Sequence, residues 1–503
     1  MNSTNEGNIY QSIGVEPIIN CRGTFTIIGG SVELPEVLEA MEAASGYFVQ
    51  YDELAEGVGA KLAEITGAEW GLVAAGCAAG IKHITAACVT GGNPEKLIRI
   101  PDLSGFDKTQ VIIPKHSRNA YDHAVRNVGV EVITVETAAE LERAINPRTA
   151  MIYLTTGAAS APGQALALER IAEIATPHGI PILADAAAEN LTIPNVHLAQ
   201  GATAVAYSGG KAICGPQCAG LVLGQKDLLM AAWQASSPHH GPGRDNKIGK
   251  EEIMGMLAAV EAWVTRNHAA EWQHWLETLA YIAERATEVA GVTTHVDEPT
   301  ALSNLAPVLT ISWDPTALHI TSEEVAEHFA RNKPRIAVGS ENRTDRTAIK
   351  ITPNQMQPGD EQVVAERIRQ ILSEQHQPQP SPLAAGADLS GHWDLEMRFF
   401  YGTSRHQLVI EQEDNWIAGM HSGDFSRQTL TGVVEGDQVK MRSVMSQPGN
   451  SITYLFDATL SEDGFAGSVH LGEYLQAEFT ATRFDHPQRR VAIAIPGGQP
   501  LAT

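Results

Sequence analysis

Six short, almost wholly apolar runs recur along the first half of this chain and constrain its fold more than any other feature. They are Val111–Pro114, Val132–Val135, Ala150–Leu154, Ile180–Ala184, Ala204–Tyr207 and Leu221–Leu223. Each is too short for a buried helix, and none alternates as a strand with one wet face does. Runs of this kind read as strands covered on both sides. Between them, Ala138–Ile145 and Leu166–Thr176 carry apolar residues at helical spacing, and the second stops at Pro177-His178-Gly179. Strands alternating with helices predict an α/β fold with a mainly parallel sheet covered on both faces.

The pattern changes twice downstream. Ile253–Asn267 and Ala270–Val289 predict longer amphipathic helices that close a large domain over residues 1–290. Residues 291–375 predict a smaller α/β lobe, with strands at Val308–Ser312, Ile336–Val338 and Ala348–Ile351 and helices at Ser322–Asn332 and Asp360–Gln375. Residues 376–388, rich in Pro, Ala and Gln, read as a linker. Residues 389–484 then alternate polar and apolar positions, with turn signals at Glu413-Asp414-Asn415, Glu435-Gly436-Asp437 and Glu462-Asp463-Gly464. About eight strands in this segment predict an antiparallel meander, closed or half-closed into a barrel. Its opening, Gly391-His392-Trp393-Asp394, resembles the Gly-x-Trp start of lipocalin-type barrels. Residues 485–503 read as a disordered tail.

Charge and cysteine content narrow the partners. A formal net charge of −24 argues against a nucleic-acid binder and against docking on anionic membranes. No signal-peptide pattern and no apolar stretch of about 20 residues is found, so a soluble, cytoplasmic protein is expected. The cysteines Cys21, Cys77, Cys88, Cys214 and Cys218 suggest neither a disulfide framework nor a metal site, and read as small buried thiols.

Four segments carry candidate chemistry. Tyr207-Ser208-Gly209-Gly210-Lys211, followed by Gly215-Pro216-Gln217, ends a strand in small residues and presents one lysine. Small residues let a ligand approach the backbone, and such a lysine can form a Schiff base with an aldehyde cofactor, although a solvated loop lysine has the same appearance. Asp185 leaves a buried strand among alanines, where a carboxylate needs a cationic partner. The protonated ring nitrogen of pyridoxal 5'-phosphate (PLP) is such a partner. Val73–Gly80 runs from a strand through Gly76, Cys77 and Ala78 into a helix expected over Ile81–Cys88, a turn whose N–H groups can hold a phosphate. Ser208 can add a hydroxyl to the same phosphate. Lys115–His123 follows a strand end, where His116, or failing that Tyr121, can stack on a cofactor ring.

Residues 8 to about 375 resemble the fold-type I PLP enzymes. Among these they look most like the branch that holds bacterial L-seryl-tRNA(Sec) selenium transferase and D-glucosaminate-6-phosphate ammonia-lyase. The resemblance rests on Ile18–Thr24, Ile65–Glu69, Ser208–Lys211, Gly215–Gln217 and Lys247–Glu252. It implies that Lys211 carries the cofactor and shuttles the substrate α-proton, and that Asp185 binds the ring nitrogen. Gly76, Cys77, Ala78 and Ser208 would contact the phosphate, and His116 would stack on the ring. It also implies a homodimer or larger assembly in which Lys247 and Gly249 reach a neighbour's cofactor. A substrate α-carboxylate would want an arginine, with Arg22 and Arg335 favoured over Arg343 and Arg346. The expected activity is a lyase reaction on an amino acid, by α-proton abstraction and β-elimination from a hydroxy or sugar-derived substrate. An aminotransferase, a racemase, an aldolase or a non-catalytic ligand-binding protein would use the same parts.

Overall fold

A computed structural model describes residues 8–343, 346–378 and 381–484. It divides into two compact units, residues 1–378 and 379–503. The expected tail at 485–503 lies outside the described residues.

The first unit is built on seven strands: β1 (Trp70–Ala74), β2 (Gln110–Pro114), β3 (Glu131–Val135), β4 (Thr149–Thr155), β5 (Ile182–Asp185), β6 (Ala204–Ser208) and β7 (Gly220–Gly224). Their order in the sheet is β1-β7-β6-β5-β4-β2-β3. The pairs among β2 to β6 are parallel, and β7 runs against both β1 and β6. Thus β1 points the same way as β6, and the C-terminal ends of β1, β2, β4, β5 and β6 share one edge. In an open α/β sheet that edge is where ligands bind.

Alternate residues of each strand feed two cores. Ile112, Ile152, Ile182, Val205 and Leu221 pack on one face, and Val111, Tyr153, Leu183, Ala206 and Val222 on the other. Both sets are buried, as the unbroken apolar runs require, and each large side chain contributes roughly 1.5–3 kcal/mol.

The smaller lobe is an antiparallel four-stranded sheet of Thr293–Asp297, Val308–Trp313, Gly339–Asn342 and Thr347–Ile351, packed on helices Ser322–Arg331 and Asp360–Ser373. The run expected at Ile336–Val338 does not join this sheet. Residues Arg335–Ala337 pair in parallel with Ile18–Asn20, so the N-terminal segment is stitched to the small lobe. Among the described residues no helix is long and apolar enough to cross a membrane.

The second unit is a closed eight-stranded barrel in which each strand pairs antiparallel with the next and Gly391–Arg398 closes on Gln476–Arg483. Its buried positions alternate along every strand, as the sequence pattern requires. Trp393 packs edge-on against Phe465 at 4.9 Å, under the guanidinium of Arg483.

Candidate active site

Asp185 ends β5 at the ligand-binding edge and is 4% exposed. Its Oδ2 accepts a 2.6 Å hydrogen bond from the Tyr153 hydroxyl. Its Oδ1 accepts from the Ala187 N–H at 3.1 Å and from the Cys77 thiol at 3.6 Å. All three donors are neutral, and among the described residues Asp185 has no ion-pair partner. Burial and the neighbouring carboxylate push the Tyr153 phenol and the Cys77 thiol well above their ordinary ranges, so both stay protonated donors. Lys211 acts in the opposite direction on the Cys77 thiol, which places its charge in the same neighbourhood.

Lys211 follows β6 in a loop tied to itself: the Gly209 N–H donates to Ala219 O, the Cys214 N–H to Lys211 O and the Gly215 N–H to Gly209 O. The glycines before Lys211 answer to packing, not to ligand approach. A Cβ on Gly210 would lie 1.9 Å from Gln217 Oε1, and one on Gly209 would lie 2.7 Å from Ala219 O. Cys214 holds a left-handed φ of 57°, and Arg266 braces the loop by donating to Ala212 O at 3.2 Å. Lys211 is half-buried, and its Nζ has no hydrogen-bond or ion-pair partner among the described residues.

The turn after β1 differs from expectation in where its helix begins. The helix spans Cys77–Thr90, four residues earlier than the expected start at Ile81. Gly76, at φ 85°, forms its N-cap, and the Gly80 N–H already bonds to Gly76 O. Ala-Ala-Gly reads as a turn in sequence, but Gly80 is there for contact: a Cβ on it would lie 2.6 Å from Val222 Cγ2. Gly220 is packed more tightly still, since its Cβ would lie 2.4 Å from Cys77 N. The first N–H groups of a helix lack intrahelical partners, and no acidic residue occupies this first turn. Ala78 leaves the turn open to solvent.

These features fit PLP. The donor-rich helix start and the Ser208 hydroxyl suit a phosphate, the unpaired Lys211 amine suits an aldehyde, and the buried, cation-free Asp185 carboxylate suits a protonated ring nitrogen.

A cavity of about 630 Å³ opens beside Lys211, lined also by Arg22, Tyr121, Asn190, Arg266 and Asn354. The Arg22 guanidinium is exposed, stacks on Phe25 at 4.9 Å and meets no carboxylate among the described residues. The Oδ1 of Asn354 is buried without a hydrogen-bond partner. His116 sits in the turn Lys115–Ser117 after β2, and Tyr121 two turns on. Their loop is fixed to the end of β4 by hydrogen bonds from Asn119 Nδ2 to Thr155 Oγ1 and from the Thr155 N–H to Ser117 Oγ.

Other candidates stand outside this cavity lining. Arg335 lies in the strand paired with Ile18–Asn20, Arg343 is bound to Glu341, and Arg346 donates to Thr293. Lys247 is exposed, and Gly249 caps the helix Lys250–Thr265. Sequence reasoning missed Tyr153, which looks like one more core residue of an apolar run, and Arg266, which looks like a helix-end charge.

The family model for aminotransferase class-V matches residues 115–295. D-glucosaminate-6-phosphate ammonia lyase of Salmonella typhimurium is 31% identical over 303 residues, covering 58% of this chain and 79% of the relative. The 5'-C-glycyluridine monooxygenase-decarboxylase of a Streptomyces species is 26% identical over 374 residues, covering 72% of this chain and 92% of the relative. A solved structure of D-glucosaminate-6-phosphate ammonia-lyase is similar with a TM-score of 0.65 and 26% identity, covering 74% of this chain and all of that one.

Proposed function

Because this chain belongs to the aminotransferase class-V family of PLP-dependent enzymes, we propose that it is an ammonia-lyase acting on a 3-hydroxy amino acid, including sugar-derived ones. The observation that carries the reading is the buried Asp185 carboxylate, without an ion-pair partner among the described residues, at the same sheet edge as Lys211, which is likewise unpaired and lines the cavity.

When bound, PLP supplies an electron sink for the pair left when the α-proton departs. Gly76, Cys77, Ala78 and Ser208 would hold its phosphate through backbone N–H groups and a hydroxyl, Asp185 would hold its ring nitrogen, and His116 would cover its ring. Arg22 binds the substrate α-carboxylate, which no carboxylate among the described residues contests. The Lys211 Nζ takes the α-proton, and the β-hydroxyl leaves with a proton as water. Hydrolysis of the remaining C–N bond then yields a 2-oxo acid and ammonia. Amide side chains such as Asn190 and Asn354 suit the hydroxyls of a polyol chain, and the unsatisfied Asn354 Oδ1 is an acceptor for one of them.

We also infer a homo-oligomer working in the cytoplasm. The N-terminal segment exposes Ile13, Ile27 and Phe48, at 75%, 83% and 102%, an apolar surface suited to a second copy and to a neighbour's site reached by Lys247 and Gly249. The five cysteines are all unpaired, which suits a reducing compartment. Sedimentation velocity tests the assembly; a monomer at micromolar concentration would refute it.

The activity test is ammonia release from a panel of D- and L-3-hydroxy amino acids, sugar-derived acids included. Release with one class, abolished in Lys211→Ala, supports the lyase reading. Spectral change of the bound cofactor without ammonia would replace it with transamination, racemisation or aldol cleavage.

A further inference from the structure

Asp185 is costly to bury, because it is a carboxylate with no ion-pair partner among the described residues. Its side chain is kept in place from two elements. Tyr153, 0% exposed on the adjacent strand β4, donates to Oδ2 at 2.6 Å. Cys77, first residue of the helix Cys77–Thr90, reaches Oδ1 at 3.6 Å, beside the Ala187 N–H. The titratable groups that interact with Asp185 are therefore Tyr153 from β4 and Cys77 from the helix start, and the charge of Lys211, from the loop after β6, acts on the Cys77 thiol.

We propose that Tyr153 is a positioning residue for the reaction: its hydroxyl stabilises the Asp185 carboxylate and orients it toward the cofactor ring nitrogen, with Cys77 as a weaker second donor. The geometry supports this directly. A phenol held protonated by burial can only donate here, and a hydrogen bond to a charged acceptor is the strong kind. The short distance ranks Tyr153 above the long thiol contact. Cys77 thereby has a side-chain role separate from the contact of its backbone with the phosphate. The inference rests on the PLP reading above.

The test uses the cofactor-free full chain and measures equilibrium affinity for two probes at one neutral pH, by fluorescence. One probe is PLP. The other is its 1-deaza analogue, in which C–H replaces the ring nitrogen. The reading is the preference for PLP over the analogue, because the phosphate and aldehyde of both probes meet the same residues. Tyr153→Phe keeps the ring in its packing place and removes the donor. The preference for PLP then falls by about tenfold. Affinity for the analogue stays within about twofold, because it makes no ring-nitrogen contact. Cys77→Ala lowers the preference by less, and carries the test if Tyr153→Phe does not fold. An unchanged preference, or an equal loss with the analogue, overturns the proposal and leaves Tyr153 a packing residue. A wild-type chain that does not bind PLP overturns the cofactor reading itself, and this inference with it.

Discussion

Acidification from pH 7.5 to pH 5 is expected to destabilise the barrel by about 2 kcal/mol, through one buried histidine. His421 is 0% exposed inside the barrel. Its Nδ1 accepts from Gln428 Nε2 at 3.0 Å and lies 2.7 Å from Ser443 Oγ, and its Nε2 lies 2.8 Å from His406 Nδ1. A proton added at Nδ1 would point at the Gln428 N–H, which is itself a donor. Burial, with His406 as the lesser cause, lowers His421 to about 3. An unfolded histidine titrates near 6.5. Between these values the unfolded chain binds a proton that the folded barrel refuses, so stability is fully present above the unfolded value and is lost as pH falls toward the folded one. The loss grows by about 1.4 kcal/mol per pH unit, and pH 5 is roughly one and a half units into the window. His406 is lowered as well, mainly by burial, and adds in the same direction. The assay is hydrogen exchange of peptides from residues 403–422 in the full chain, followed through a urea titration at both pH values. With a urea slope of about 1–3 kcal/mol per molar, the barrel midpoint drops by roughly 1 M. His421→Gln keeps an amide for the network and cannot titrate, so its midpoint depends much less on pH. Equal midpoints for wild type at the two pH values, or an undiminished acid loss in His421→Gln, would refute the reasoning.

Two further outcomes follow from the catalytic unit. Gly220→Ala drives a Cβ to 2.4 Å from Cys77 N, and β7 is hydrogen-bonded on both sides, so the helix start must give way. A cost of about 1–3 kcal/mol in stability and a larger loss of PLP affinity than of thermal stability are expected; unchanged cofactor affinity would contradict the assigned cradle. Arg22→Ala is expected to raise KM about tenfold or more at nearly constant kcat, and an unchanged KM would move the carboxylate site elsewhere.

The fold was legible where patterning is strict. The apolar runs that became β2 and β4 to β7 are buried on both faces, whereas β3, at the sheet edge, is partly exposed against the expectation of cover on both sides. The alternation of residues 389–484 has the period of a one-sided strand, which a closed barrel requires. Legibility failed where tertiary contact overrides local signals. Gly80 looked like a turn and lies inside a helix, because Val222 leaves no room for a Cβ. Arg335 looked like a free cation before a strand, and instead lies within a strand whose partner is more than 300 residues away in sequence, at Ile18–Asn20. Tyr153 was invisible for a related reason. Its ring obeys the apolar period of β4, and only the position of Asp185 on the next strand gives its hydroxyl a task.

The most direct test of the central claim is borohydride reduction of the PLP-loaded chain, followed by peptide mass spectrometry. Reduction fixes the bond between the cofactor aldehyde and whichever amine holds it. The account predicts a phosphopyridoxyl group on the Lys211 peptide alone, and its loss in Lys211→Ala. A label on another lysine, or no label on a chain saturated with PLP, would contradict it.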